Sequence, residues 1–89
     1  SRPRLLNRPS TRYPSALLRR GIRRGNVVLE VVISRTGRVK VRNVLSSSHP
    51  ELTKMASSFA SRARFSIPKK DGQPVEAMYR WPMTLQPPK

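Results

Sequence analysis

Asp71-Gly-Gln-Pro-Val-Glu-Ala-Met-Tyr-Arg-Trp-Pro-Met-Thr-Leu85 reads as a turn followed by one long strand, and the place of that strand decides the fold. Val75, Ala77, Tyr79, Trp81, Met83 and Leu85 share one face, and Glu76, Met78, Arg80, Pro82 and Thr84 the other, as in a strand with one side on a core. Only Gln86, Pro87, Pro88 and Lys89 follow, so this sequence offers no downstream hairpin partner. Pro82 removes a backbone donor that a central strand needs. An edge strand is expected. Its free N–H and C=O groups either invite aggregation or receive a strand from a partner, which points to binding rather than catalysis.

Upstream, Asn26-Val-Val-Leu-Glu-Val-Val-Ile-Ser34 is apolar on both faces, the mark of a central strand. Arg35-Thr-Gly-Arg38 supplies a tight turn in which Gly37 takes positive φ. Val39 and Val41 then alternate with Lys40 and Arg42 until the phase breaks at Asn43, predicting a second strand with a bulge there. Ser48-His-Pro-Glu51 has capping-box spacing. The helix it opens carries Leu52, Met55, Ala56, Phe59, Ala60 and Ala63 as one apolar stripe.

At the other end, residues 1–12 hold Arg2, Arg4, Arg8 and Arg12 with two prolines and no acid, and read as a flexible basic linker remnant. Ordered structure is expected from Tyr13-Pro14. A short helix follows, with Ala16, Leu17 and Leu18 as its apolar residues and Gly21 as its stop. The folded domain is thus placed at 13–89. Its order is helix-strand-strand-helix-strand, an α+β fold.

A hairpin makes the first two strands antiparallel, and a helical crossover returns the chain in the direction of the second. The third strand then lies antiparallel beside the first. The expected architecture is a three-stranded antiparallel sheet of order 2-1-3 packed on a helix, with the last strand exposed.

With 89 residues the chain makes one domain, which buries only about 60% of the surface its unfolded form exposes. No cysteine is present to staple it. The sequence has no initiator Met, signal peptide or long apolar run, and the expectation is a soluble protein or a trimmed fragment. Nineteen Lys and Arg against Glu30, Glu51, Asp71 and Glu76 give a net charge of +15, a field that attracts polyanions. Arg19, Arg20, Arg23 and Arg24 flank a glycine turn and form a candidate contact for an anionic surface.

Catalysis finds little support. His49 is the sole histidine, no nucleophile elbow surrounds Ser46, Ser47 and Ser48, and the four acids form no pairing motif. No enzyme, no metal site and no cofactor are expected. Tyr79 and Trp81 share a face, read as core beneath the second helix; a nucleic-acid stacking platform would need them exposed beside basic residues.

Tyr13-Pro14, Gly21-Ile-Arg-Arg-Gly25 before a Val-rich strand, Ser34-Arg-Thr-Gly37, Ser46-Ser-Ser48 leading into an Ala-rich helix, Arg64-Phe65, Asp71-Gly-Gln-Pro-Val75 and Tyr79-Arg-Trp-Pro82 together resemble the C-terminal domain of TonB-like energy transducers. The likeness runs from about Tyr13 to Leu85. It implies a periplasmic domain anchored to the inner membrane through an N-terminal helix absent from this chain, with a proline-rich stretch between. It also implies capture of the TonB box of an outer-membrane transporter as a strand added beside the last strand. Val75, Glu76, Ala77, Met78, Tyr79, Arg80, Trp81, Pro82, Met83, Thr84 and Leu85 are then the partner-binding residues. An ExbB and ExbD type inner-membrane complex, driven by the proton-motive force, would supply the work of siderophore or nutrient uptake.

The alternatives are a basic nucleic-acid-binding module and a domain that docks on peptidoglycan or another anionic surface. The domain is expected to be a monomer or a weak, length-dependent dimer.

Overall fold

β1 (Gly25–Ile33) carries the fold, because it is paired along both edges and one of its faces is fully buried. In the computed structural model, which describes residues 3–87, it is the centre of a three-stranded sheet of order β2-β1-β5, with β2 spanning Val39–Ser47 and β5 Ala77–Leu85. Both pairings are antiparallel, so the order and directions expected from the sequence hold. Ser1, Arg2, Pro88 and Lys89, which fall in the expected lead-in and at the expected domain's end, lie outside the described residues.

One face of the sheet is closed by a helix. Val27, Leu29, Val31 and Ile33 of β1 are fully buried against Leu52, Ala56 and Ala60 of α2 (Pro50–Arg62). Ala56 and Ala60 put small side chains into that contact, and Tyr13, Leu17, Val39, Ala63, Phe65 and Met83 complete the core. Truncating Leu29 to Ala in such a site costs about 2–5 kcal/mol. α1 (Ser15–Arg19) contributes Leu17, and its entry is fixed by the Tyr13 hydroxyl, which donates to the Ile22 carbonyl at 2.9 Å.

The bulge expected near Asn43 is two bulges. The β1–β2 register slips between Val28 and Leu29 and again between Glu30 and Val31, leaving Leu45 and Arg42 without partners on either side of the Val44-Asn43 pairs. Glu30 accepts a side-chain bond from Asn43 at 2.9 Å between the two slips.

The capping box at Ser48 does not form. His49 is the N-cap, with no side-chain bond to the helix, and Pro50 takes the first helical position, where its missing N–H costs nothing. The Ser48 hydroxyl accepts from the Asn26 N–H at 3.0 Å, at the start of β1, and Glu51 reaches Arg20 instead. A strand end that needed an acceptor took the serine that the helix was expected to use.

Ordered backbone also begins earlier than Tyr13. Leu5 bridges Phe65, the Leu6 N–H donates to the Arg64 carbonyl at 2.7 Å, and the Ser66 N–H to the Arg4 carbonyl at 2.8 Å. Asn7 clamps the same segment from its side chain, accepting from the Arg64 N–H at 2.7 Å and donating to the Arg62 carbonyl at 3.1 Å. The chain leaving α2 has free backbone groups, and this N-terminal arm pairs with them while Leu5 packs on the core. Composition, dominated by arginine and proline, concealed it.

Between α2 and the last strand, β3 (Lys69–Lys70) and β4 (Gln73–Pro74) make a miniature hairpin. Asp71 and Gly72, at φ 52° and 78°, form the two-residue turn with both central residues left-handed that suits a hairpin's twist.

Candidate strand-docking edge

β5 pairs with β1 along its whole length, from Ala77 opposite Ile33 to Leu85 opposite Gly25, without a slip. Which of its backbone groups stay free follows from the far side of β1. The Ser48 N–H donates to the Asn26 carbonyl at 2.9 Å and the Asn26 N–H to the Ser48 hydroxyl, so both backbone groups of Asn26 point away from β5. Alternation along a strand then turns Val28, Glu30 and Val32 the same way and leaves the odd-numbered residues to bond β5.

Their partners are Thr84, Pro82, Arg80 and Met78, in that order from Asn26. These four sit in non-bonded pairs and direct their N–H and C=O groups outward. Pro82 therefore costs the internal ladder nothing. Its missing N–H falls on the outer edge, where Met78, Arg80 and Thr84 still offer donors and all four residues offer carbonyls. Pro82 was a parity signal legible in the sequence: a proline is tolerated in a paired strand where its nitrogen faces out.

The odd-numbered side chains face the helix. Trp81 lies edge-on to Phe65 with ring centroids 4.9 Å apart and 5.8 Å from Phe59, and Tyr79 meets Phe65 at 5.8 Å. Such contacts are worth about 0.5–1.5 kcal/mol each beyond area. The two aromatics are half-buried core, as their shared face predicted, and do not form an open stacking platform. Met78, Arg80, Pro82 and Thr84 are exposed on the opposite face.

Of the eleven residues named as partner-binding, nine lie in β5 and two precede it. Val75 has its N–H committed to the Pro68 carbonyl at 2.9 Å, and Glu76 belongs to the connection from β4. Arg19, Arg20, Arg23 and Arg24 are all exposed. Arg24 directly precedes Gly25, which pairs with Leu85, so the cluster's end meets the C-terminal end of β5. Arg20 is paired with Glu51 at 3.3 Å, but with side chains 57% and 35% exposed the pair adds little.

Among the described residues no group of three His, Cys, Asp or Glu side chains is placed to hold a metal ion, and no helix is long and apolar enough to cross a membrane.

No curated protein matches the sequence closely enough to count as a relative. Residues 9–84, nearly the whole of the chain, match the family model described as Gram-negative bacterial TonB protein C-terminal. A match over so much of the sequence shows that the chain belongs to the TonB C-terminal family, periplasmic interaction domains of TonB-type energy transducers.

Proposed function

We propose that this domain captures the TonB box of an outer-membrane transporter as a fourth strand along the outer edge of β5, and passes to it the work of a proton-motive-force-driven inner-membrane complex of the ExbB and ExbD type. The observation that carries the reading is the outward set of backbone groups on Met78, Arg80, Pro82 and Thr84, in a strand with no slip in its register. Each main-chain bond contributes about 0.5–1.5 kcal/mol net, so a short ladder gives a modest, reversible grip. Anchorage to the inner membrane through an upstream helix, a role in siderophore or nutrient uptake, and a monomer or weak dimer that competes with the box for the same edge belong to the same proposal.

The test is amide NMR titration of the chain with a synthetic box peptide. The largest shifts are expected from Met78 to Thr84. Arg80→Pro removes an outward N–H and leaves the β1 ladder intact, so it should weaken the peptide about two- to tenfold in a folded protein. Full binding by folded Arg80→Pro would sink strand addition at this edge. Tyr79→Pro is the less informative change, because the Tyr79 N–H belongs to the side that pairs with β1.

A further inference from the structure

The N-terminal arm is the outer strand of a second, very short ladder. Phe65 lies opposite Leu5 and Arg64 opposite Arg38, so the segment leaving α2 runs between the arm and the residues that open β2. Leu5 packs on the core and Phe65 is buried, which turns Leu6 and Arg64 to the other face, toward solvent, and Arg38 with them. The Phe65 N–H donates to the Gly37 carbonyl at 2.9 Å. That bond makes Arg38 and Arg64 a non-hydrogen-bonded pair, the kind whose side chains stand closest, with Cα atoms about 4.5 Å apart. Two guanidiniums thus share one rung. Arg4, whose carbonyl accepts from the Ser66 N–H, adds a third arginine on the same face.

Like charges placed directly opposite one another destabilise a ladder. Among the described residues the only ion pair joins Arg20 to Glu51, and the Arg64 side chain bonds only the Ala63 carbonyl, at 3.4 Å, so no acid offsets the rung. In the same row Leu6 is 57% exposed, and it shares a groove with Lys69 and with Ile67, itself 45% exposed. One exposed leucine needs no account, but one set in line with two unpaired arginines does. An acidic protein face or a nucleic acid would answer the guanidiniums and leave the aliphatic side chains against charge. The interface of an anionic bilayer answers both, with phosphates at the level of the guanidiniums and acyl chain beneath for the leucine.

We propose that this face docks on a membrane surface of anionic phospholipid, with Arg4, Arg38 and Arg64 on lipid phosphates and Leu6 and Ile67 entering the boundary between headgroups and acyl chains. Each guanidinium presents a planar fork of donors that fits a phosphate bidentately. A phosphate seated between Arg38 and Arg64 replaces their mutual repulsion with two attractions. None of these side chains belongs to β5, so docking here and strand capture there can be tested apart.

The chain has no cysteine, so a single introduced one can carry a polarity-sensitive fluorophore. Labelled Leu6→Cys is mixed with vesicles of phosphatidylglycerol and phosphatidylcholine in equal parts, at about 150 mM salt to screen distant charges. Its emission should shift to the blue, whereas a label at Leu45→Cys, on β2 and 46% exposed, should not move. Vesicles of phosphatidylcholine alone should leave both labels unchanged. In co-sedimentation with the anionic vesicles, Arg38→Ala with Arg64→Ala should lose about thirtyfold in binding, near fivefold for each guanidinium. Arg19→Ala with Arg23→Ala should lose no more than about twofold, since those side chains stand off the docked face. All the altered side chains are exposed, so the variants keep the fold. Equal losses from the two double variants, with no shift at residue 6, would mean that only the overall charge is felt, and would overturn the docking face. A loss of poly-glutamate binding by the Arg38 and Arg64 variant as large as its loss of vesicle binding, again with no shift at residue 6, would give the face to an acidic polypeptide and overturn the lipid.

Discussion

The sheet has two outer strands, and they are built differently. β2 holds two unpaired residues, Arg42 and Leu45, within a ladder of seven pairs, and at its start Arg38 is bridged by Arg64. β5 runs through nine pairs without a break. Bulges twist an edge and disturb the spacing of its free groups, and positive side chains such as Lys40 and Arg42 discourage a neighbour. β5 lacks both defences apart from Pro82 and Arg80. One edge is interrupted by bulges, and the other keeps the unbroken register that the proposed strand addition would use.

The largest effect is expected at the turn that opens β2. Gly37 sits at φ 84°, its carbonyl accepts from the Phe65 N–H at 2.9 Å, and a Cβ on it would collide with the Phe65 carbonyl. Gly37→Ala should destabilise the domain on the order of 3 kcal/mol, read from denaturant midpoints, with exchange protection at residues 64–66 falling first. A change below about 0.5 kcal/mol would show that the crossing segment is not held by this turn.

A second change makes the two edges alike. Deleting both Arg42 and Leu45 gives β2 a continuous register opposite β1 and preserves its inward and outward alternation. The flattened chain should self-associate at least tenfold more strongly in sedimentation experiments than the parent. An unchanged monomer would mean that bulges are not what keeps β2 unpaired.

Smaller still is the part played by charge. Lys40→Ala with Arg42→Ala should leave box-peptide affinity within about twofold, since neither residue borders β5, while lowering retention on DNA at low salt. Binding of nucleic acid by this chain is expected to be independent of sequence and to fade by physiological salt; a contact to six phosphates loses roughly a thousandfold between 50 and 200 mM. Tight binding to one defined oligonucleotide at 150 mM salt would instead favour nucleic acid as the partner. Least of all, Arg20→Ala should cost no more than about 0.5 kcal/mol in thermal or denaturant unfolding, because its bridge to Glu51 is open to solvent.

The sequence made the sheet legible because its signals were periodic. Val27 to Ile33 could be read as central from two apolar faces, and Tyr79 and Trp81 as core from their shared parity. The α2 stripe likewise found Leu52, Ala56 and Ala60. What escaped were contacts between segments distant in the chain. Ser48 has the spacing of a helix cap, and nothing local reveals that the Asn26 N–H competes for it. Leu5 and Leu6 sit in a basic, proline-bearing stretch whose composition says linker, while their partners at residues 64–66 are almost sixty positions away. The edge was legible as an edge. Its individual free donors required the Asn26 geometry.

The pairing of Gly25 with Leu85 also sets an order of assembly. β1 and β2 close locally across the Gly37 turn, and α2 follows them at once, whereas β5 must return across as many as sixty positions to complete the ladder. Contacts of such separation carry the larger loop-closure cost and are expected to form late in folding. Pulsed hydrogen exchange should therefore protect amides of the β1–β2 hairpin before those of β5. A molecule halted before that step has its hairpin and helix but exposes the border of β1 in place of that of β5, so the border proposed to engage a partner arrives only with the finished fold.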